Sequence, residues 1–180
     1  MVKETMSILR YLGLTESEPA PGTPETETVR RITTALDQMD LEQARYIAGF
    51  AYVLSRVARA DLHISDEETR AMVRIVADHG GLPEAQAIIV VQIAKTQNKL
   101  FGGTENFLVT REFSKLAGFD QKLALLDCLF AVAAAEGMIS TEEDNVIRQI
   151  SLELGLEHRD FIAVRSGHRD RLSFLKERSQ

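Results

Sequence analysis

The chain has 180 residues, 44% hydrophobic and 27% charged, with a formal net charge of −6. That composition excludes a chain disordered throughout, and there is no apolar run of the roughly 18 residues or more that a membrane span needs. The acidic balance argues against a nucleic-acid footprint over the whole surface, and the length fits a single domain with a real hydrophobic core.

At the N-terminus, Ile8, Leu9, Leu12 and Leu14 fall at helical spacing and predict a short amphipathic helix within residues 1–14. No small-residue cleavage site follows it, so no secretory signal is expected. Residues 15–28, TESEPAPGTPETET, hold three of the four prolines, four glutamates and no basic residue. Such a stretch cannot bury enough apolar surface to order itself and is expected to be a flexible linker. The domain proper is expected over residues 29–180.

From Val29 onward the periodicity is helical. Val29, Ile32, Leu36 and Met39 form one stripe, and Phe50, Val53, Leu54 and Val57 the next. Met72, Ile75, Val76 and His79 form a third, with Gly80 placed to end that helix in a left-handed turn. Pro83 falls at a first-turn position and opens a helix through Ile88, Val91 and Ile93. Gly102–Gly103 breaks it, and Phe107–Leu116 resumes, with Gly118 as a stop. Leu125, Cys128, Leu129 and Val132 then repeat the second stripe, and Ile147, Ile150 and Leu154 the third, again closed by a glycine, Gly155. After Leu156 one or two further helices are expected, interrupted near Gly167. No stretch alternates with period two for long, so the fold class is all-α.

The correspondence between stripes is a duplication. Val57–Gly80 returns 75 positions later as Val132–Gly155, sharing Val57/Val132, Ala58/Ala133, Ala60/Ala135, Ile64/Ile139, Ser65/Ser140, Glu67/Glu142, Glu68/Glu143, Ile75/Ile150 and Gly80/Gly155. Each copy, about 46–80 and 121–155, is one helix–turn–helix unit that needs a neighbour to bury its apolar face.

Both copies pass through an acidic turn, ADLHISDEE and AEGMISTEE, which supports two readings. One is capping. Ser65 with Glu68, and Ser140 with Glu143, have capping-box spacing, and Asp66, Glu67 and Glu142 place negative charge at the positive end of the helix dipole. In this reading Ile64 and Ile139 staple the turns, and Gly137 relaxes the second. The other is a divalent cation site built from Asp61, Glu68, Glu136 and Glu143, because the string is similar to the second half of an EF-hand loop. A full EF-hand is rejected: the first and third loop positions fall on Val57 and Arg59, and on Val132 and Ala134, which carry no ligand oxygen.

With the repeat in hand, the chain resembles the TerB family, small all-helical proteins associated with bacterial tellurite resistance. The resemblance rests on VARADLHISDEE, on VAAAEGMISTEE with VIRQISLELGL, and on HRDFIAVRSGHRDRL, which is similar to the C-terminus of the stand-alone TerB-like group. It covers Ala44 to about Leu172. It implies a compact bundle of about seven helices with two pseudo-twofold-related repeats. It also implies a non-enzymatic, stress-associated module that binds a divalent metal ion, a protein partner or both. The residues carried over for metal are Asp61, Glu68, Glu136 and Glu143. Leu62 stands where the family has glycine, and Glu136 where it has aspartate. A TerB-like domain also occurs fused to a J domain, but His-Pro-Asp is absent here.

Enzyme readings find no support. His-Arg-Asp occurs at His158–Asp160 and His168–Asp170, without the glycine-rich loop or sheet of a kinase. No Glu-x-x-His pair supplies di-iron ligands, and Gly102–Gly103–Thr104 lacks the lysine of a phosphate loop. Cys128 lies in an apolar stripe as an inert thiol, and being the single cysteine it implies a reducing compartment, the cytoplasm by default. His79 is expected to pack in the core or to help the helix end. His63, beside Asp61 and Asp66, is the one histidine with a case as a ligand, weakened because its repeat partner is Met138.

From Leu156 to Gln180 six basic residues face four acidic ones. In the alternative reading the chain is a protein-interaction or membrane-peripheral adaptor. It would use the N-terminal segment together with Arg165, Arg169 and Arg171, and the acidic turns would be caps only.

Overall fold

The computed structural model describes residues 24–58, 66–97, 106–135 and 137–173. The N-terminal amphipathic helix, the first acidic turn with Asp61, His63 and Ser65, the Gly102–Gly103 break, and Glu136 all lie outside them. Eight α-helices are described: α1 Pro24–Asp37, α2 Leu41–Ser55, α3 Asp66–Gly80, α4 Glu84–Gln97, α5 Asn106–Leu116, α6 Phe119–Ala135, α7 Thr141–Glu153 and α8 His158–Gly167. A 3₁₀ turn, Arg169–Arg171, follows. Among the described residues there is no strand, only one isolated parallel bridge between Ile139 and Leu172.

The all-α reading holds, and the two copies adopt the same succession of elements. Helix α2 corresponds to α6 and α3 to α7, each pair within a few residues of the 75-residue offset. Both central helices are apolar nearly all round, as buried helices are. In α2 every residue from Ile47 to Leu54 is buried, and in α6 Leu125, Leu126 and Cys128–Ala133 are. Helix α2 packs on α4 and α5, while α6 packs on α3, α7 and α8, and the two central helices touch. The core therefore runs through both units without a break.

Helix α1 begins at Pro24, five residues inside the stretch expected as linker. Proline suits a first helical position, where its missing N–H would have had no helical partner. Ile32 and Leu36 then anchor the helix in the core.

The two closing glycines serve different ends. In copy two Gly155 (φ 74°) is left-handed as expected, within a complete Schellman motif: Gly155 N–H donates to Leu152 O at 3.0 Å and Leu156 N–H to Ser151 O at 3.1 Å. In copy one the left-handed residue is Gly81 (φ 65°), not Gly80. Gly80 is still helical and buried, and a Cβ there would lie 2.8 Å from Phe50 Cζ. Packing, not turning, requires that glycine.

Candidate functional site

The second acidic turn is shaped by both of its ends. Ser140 caps α7 in a closed capping box: the Ser140 amide donates to Glu143 Oε2 at 2.8 Å, and the Glu143 amide donates to Ser140 Oγ at 3.2 Å. The serine hydroxyl also lies 2.7 Å from Glu143 Oε2. Ile139 is fully buried, and its backbone is gripped by the C-terminal segment, its N–H donating to Arg171 O at 2.7 Å and its carbonyl accepting from Ser173 N–H at 3.1 Å. The backbone of Ile139 is thus held by residues some thirty positions downstream. Gly137 (φ 137°) takes a conformation that a side chain would strain.

In the first turn, Asp66, Glu67 and Glu68 occupy the exposed start of α3, where charge favours the helix dipole. Of the four residues expected to hold a cation, Glu68 and Glu143 are described; Asp61 and Glu136 lie outside the described residues, as does Ser65. Among the described residues no group of three His, Cys, Asp or Glu side chains is arranged to hold a metal ion. Among the C-terminal arginines, Arg165 is forked onto Asp144 (Nε–Oδ1 2.7 Å, Nη2–Oδ2 3.2 Å), tying α8 to the first turn of α7. Arg169 and Arg171 are exposed on the 3₁₀ turn.

A cluster not foreseen from the sequence joins three elements. Asp127 on α6 holds His79 Nδ1 of α3 and His168 Nε2 at the end of α8, each at 2.6 Å, one on each carboxylate oxygen. His168 stacks on Phe130, with ring centroids 5.4 Å apart. His79 is not a core residue: it is 41% exposed and reaches sideways to the carboxylate, whereas its counterpart Leu154 in copy two is fully buried. The signal available in the sequence was Asp127 itself, a lone acid inside the apolar run Leu123–Ala135. Burial alone would raise its pKa, but hydrogen bonds and charge from His168 and His79 outweigh that and hold it below the ordinary aspartate value. Glu153 behaves alike: burial opposes its charge, and Arg56, with smaller help from Gln149 and Thr110, lowers it.

Carboxyls depressed in the fold contribute stability that is present above their ordinary values and is lost as the pH falls through their folded ones. Urea titrations from about pH 5 downward should therefore show falling unfolding free energy. Asp127→Asn and Glu153→Gln should each flatten that fall, and parallel curves for native and variants would contradict the assignment.

The thiol of Cys128 is fully buried, and burial, with a smaller effect of Asp127, raises it to about 12. Such a thiol stays protonated at neutral pH and is a poor nucleophile. Beside it, burial and then Cys128 raise Tyr46 to about 12. Tyr46 in turn lines an open cleft of about 610 Å³ at the junction of the start of α2, the α3–α4 turn and the α5–α6 corner.

The family model described as "Tellurite resistance protein TerB" matches residues 47–166, from within α2 to within α8. No curated protein and no solved structure matches the chain. No helix among the described residues is long and apolar enough to cross a membrane.

Proposed function

Since the chain belongs to the TerB family, we propose that it is a non-catalytic module that acts by binding a protein partner, its acidic turns serving as helix caps rather than as a cation cradle. The observation that supports reading the acidic turn as a cap, and so turns the proposal from a cation to a protein partner, is the closed capping box. The Glu143 oxygen that a cation would recruit is held by the amide and hydroxyl of Ser140. A cation gripped by both oxygens of Glu143, as the last glutamate of an EF-hand loop grips calcium, would have to break that box, which is worth roughly 1 kcal/mol to the helix start.

Calorimetric titration of the purified protein with Ca²⁺, Mg²⁺, Mn²⁺ and Zn²⁺ tests it. The expected result is no saturable heat with any of the four. Ser140→Ala is expected to lower stability by about 1 kcal/mol, while Glu143→Gln, which can still close the box, changes it little. Saturable binding that disappears in a Glu68→Gln/Glu143→Gln double variant would replace this proposal with a metal-binding one.

A further inference from the structure

The cleft beside Tyr46 carries charge of one sign. Among the described residues its lining includes three carboxylates, Asp40, Glu42 and Asp120, and no lysine, arginine or histidine. Asp40 Oδ1 accepts the Gln43 amide at 2.9 Å as the cap of α2. Glu42 and Asp120 sit in the first turns of α2 and α6, where negative charge suits the helix dipole. Folding accounts for the placing of these acids; it does not account for what stands beside them. Leu116, on the wall of the cleft, is 43% exposed, and Phe119, next in sequence to Asp120, is 56% exposed. Leu116, Leu82 and Tyr46 give the acidic trough an apolar side, and Phe119, outside the lining itself, adds a second exposed apolar residue at the start of α6.

We infer that this cleft is the docking surface for a basic, amphipathic segment of a protein partner. The inference rests on the reading of the chain as an interaction module and gives that partner its chemistry. Lysine or arginine side chains of the segment meet Glu42, Asp120 and the outer oxygen of Asp40, and interleaved apolar side chains cover Leu116 and Phe119. Nucleic acid and anionic lipid are repelled by the trough. A small polycation would answer the charge and leave the apolar side wet. A segment carrying both features satisfies both, in the manner of an amphipathic helix laid in a groove. The charges set approach and orientation, and the apolar anchors supply most of the hold.

The test is selection of a random peptide library displayed on phage against the purified full chain. Selected sequences are then synthesised, and their affinity is read by fluorescence anisotropy and their footprint by amide chemical-shift mapping. The expected peptides combine lysine or arginine with leucine or phenylalanine and shift amides around Glu42, Leu116 and Asp120. They should bind about tenfold more weakly to Glu42→Lys/Asp120→Lys, more weakly also to Leu116→Ser/Phe119→Ser, and more weakly as salt is raised. All four residues are partly or largely exposed, so these variants should fold, and an unchanged circular dichroism spectrum checks that they do. Peptides that map elsewhere, or that survive charge reversal, overturn the docking surface and leave the interaction-module reading standing. Spermidine displacing the peptides while itself ignoring Leu116→Ser/Phe119→Ser, or self-association of the protein through the cleft, overturns it in favour of a small polycation or a second copy. A selection with no binder counts against both readings, and the metal titration then decides what replaces them.

Discussion

Arg56→Ala is expected to cost about 3–5 kcal/mol of folding stability, the range for stripping one partner from a buried ion pair. Arg56 follows the last turn of α2 and sends its guanidinium across to Glu153 on α7, 97 positions away, while also donating to Thr110 Oγ1 of α5 at 2.7 Å. The second prong, Nη2 to Glu153 Oε1, measures 3.3 Å. The two side chains are only 10% and 4% exposed, so water cannot take the place of either. Alanine at position 56 leaves a carboxylate sealed between three helices with no cation beside it, held by the neutral groups of Gln149, whose Nε2 lies at 3.2 Å, and Thr110. The attraction itself is a smaller quantity than this loss, because desolvating both ions costs nearly as much as their pairing returns. Arg56→Met/Glu153→Leu, which removes both charges, should therefore fall within about 1–2 kcal/mol of the native protein. A double-mutant cycle by urea unfolding reads the coupling directly. Single and double variants equally unstable would mean that the pair holds the three helices by shape alone.

Phe113→Ala is expected to cost a similar amount, about 3–5 kcal/mol. Phe113 is buried on α5 and meets Tyr46 at a centroid distance of 5.2 Å and Phe50 edge-on at 6.5 Å. It lies so close to α2 that a Cβ placed on Gly49 would come within 2.6 Å of its ring. This contact fixes the sign of a second change. Gly49→Ala would ordinarily gain about 1 kcal/mol inside a helix, but here the methyl has nowhere to go, and overpacking of this kind costs about 1–3 kcal/mol. Net destabilisation is expected in the native background. With Phe113→Ala already in place the ring contact is gone and only the Cβ of residue 113, 3.2 Å away, still crowds the methyl, so the same Gly49→Ala change should cost much less. Unfolding curves of the four proteins show whether the penalty shrinks.

What could be read from the chain beforehand was what is decided locally. The stripes of α2, α6 and α7, the closing turn at Gly155 and the Ser140–Glu143 box all depend on residues a few positions apart, and the 75-residue repeat supplied each of them twice. Copy one departs from copy two where neighbours intrude. The ring of Phe50 requires a bare helix end at Gly80, which moves the turn to Gly81. In α3, Val76 is fully buried while Met72 and Ile75 are only half-buried and His79 reaches out to Asp127. Pairings across the bundle left no periodic trace. Arg56 with Glu153, and Asp127 with His79 and His168, join residues 41 to 97 positions apart. Each was marked only by a charged side chain beside or within an apolar helix. The linker boundary moved because composition describes what a segment cannot bury, whereas Ile32 and Leu36 give the helix from Pro24 something to bury.

The family match stops at residue 166, yet the structure is not finished there. His168 docks on Asp127, Leu172 is buried, and the peptide groups of Arg171 and Ser173 take up both sides of Ile139. The seven residues beyond the boundary are thus the latch of the second turn. Anyone trimming this chain for crystals, or grafting it into a fusion, should cut no earlier than Ser173: an earlier end would bare Ile139 and leave its amide and carbonyl without mates.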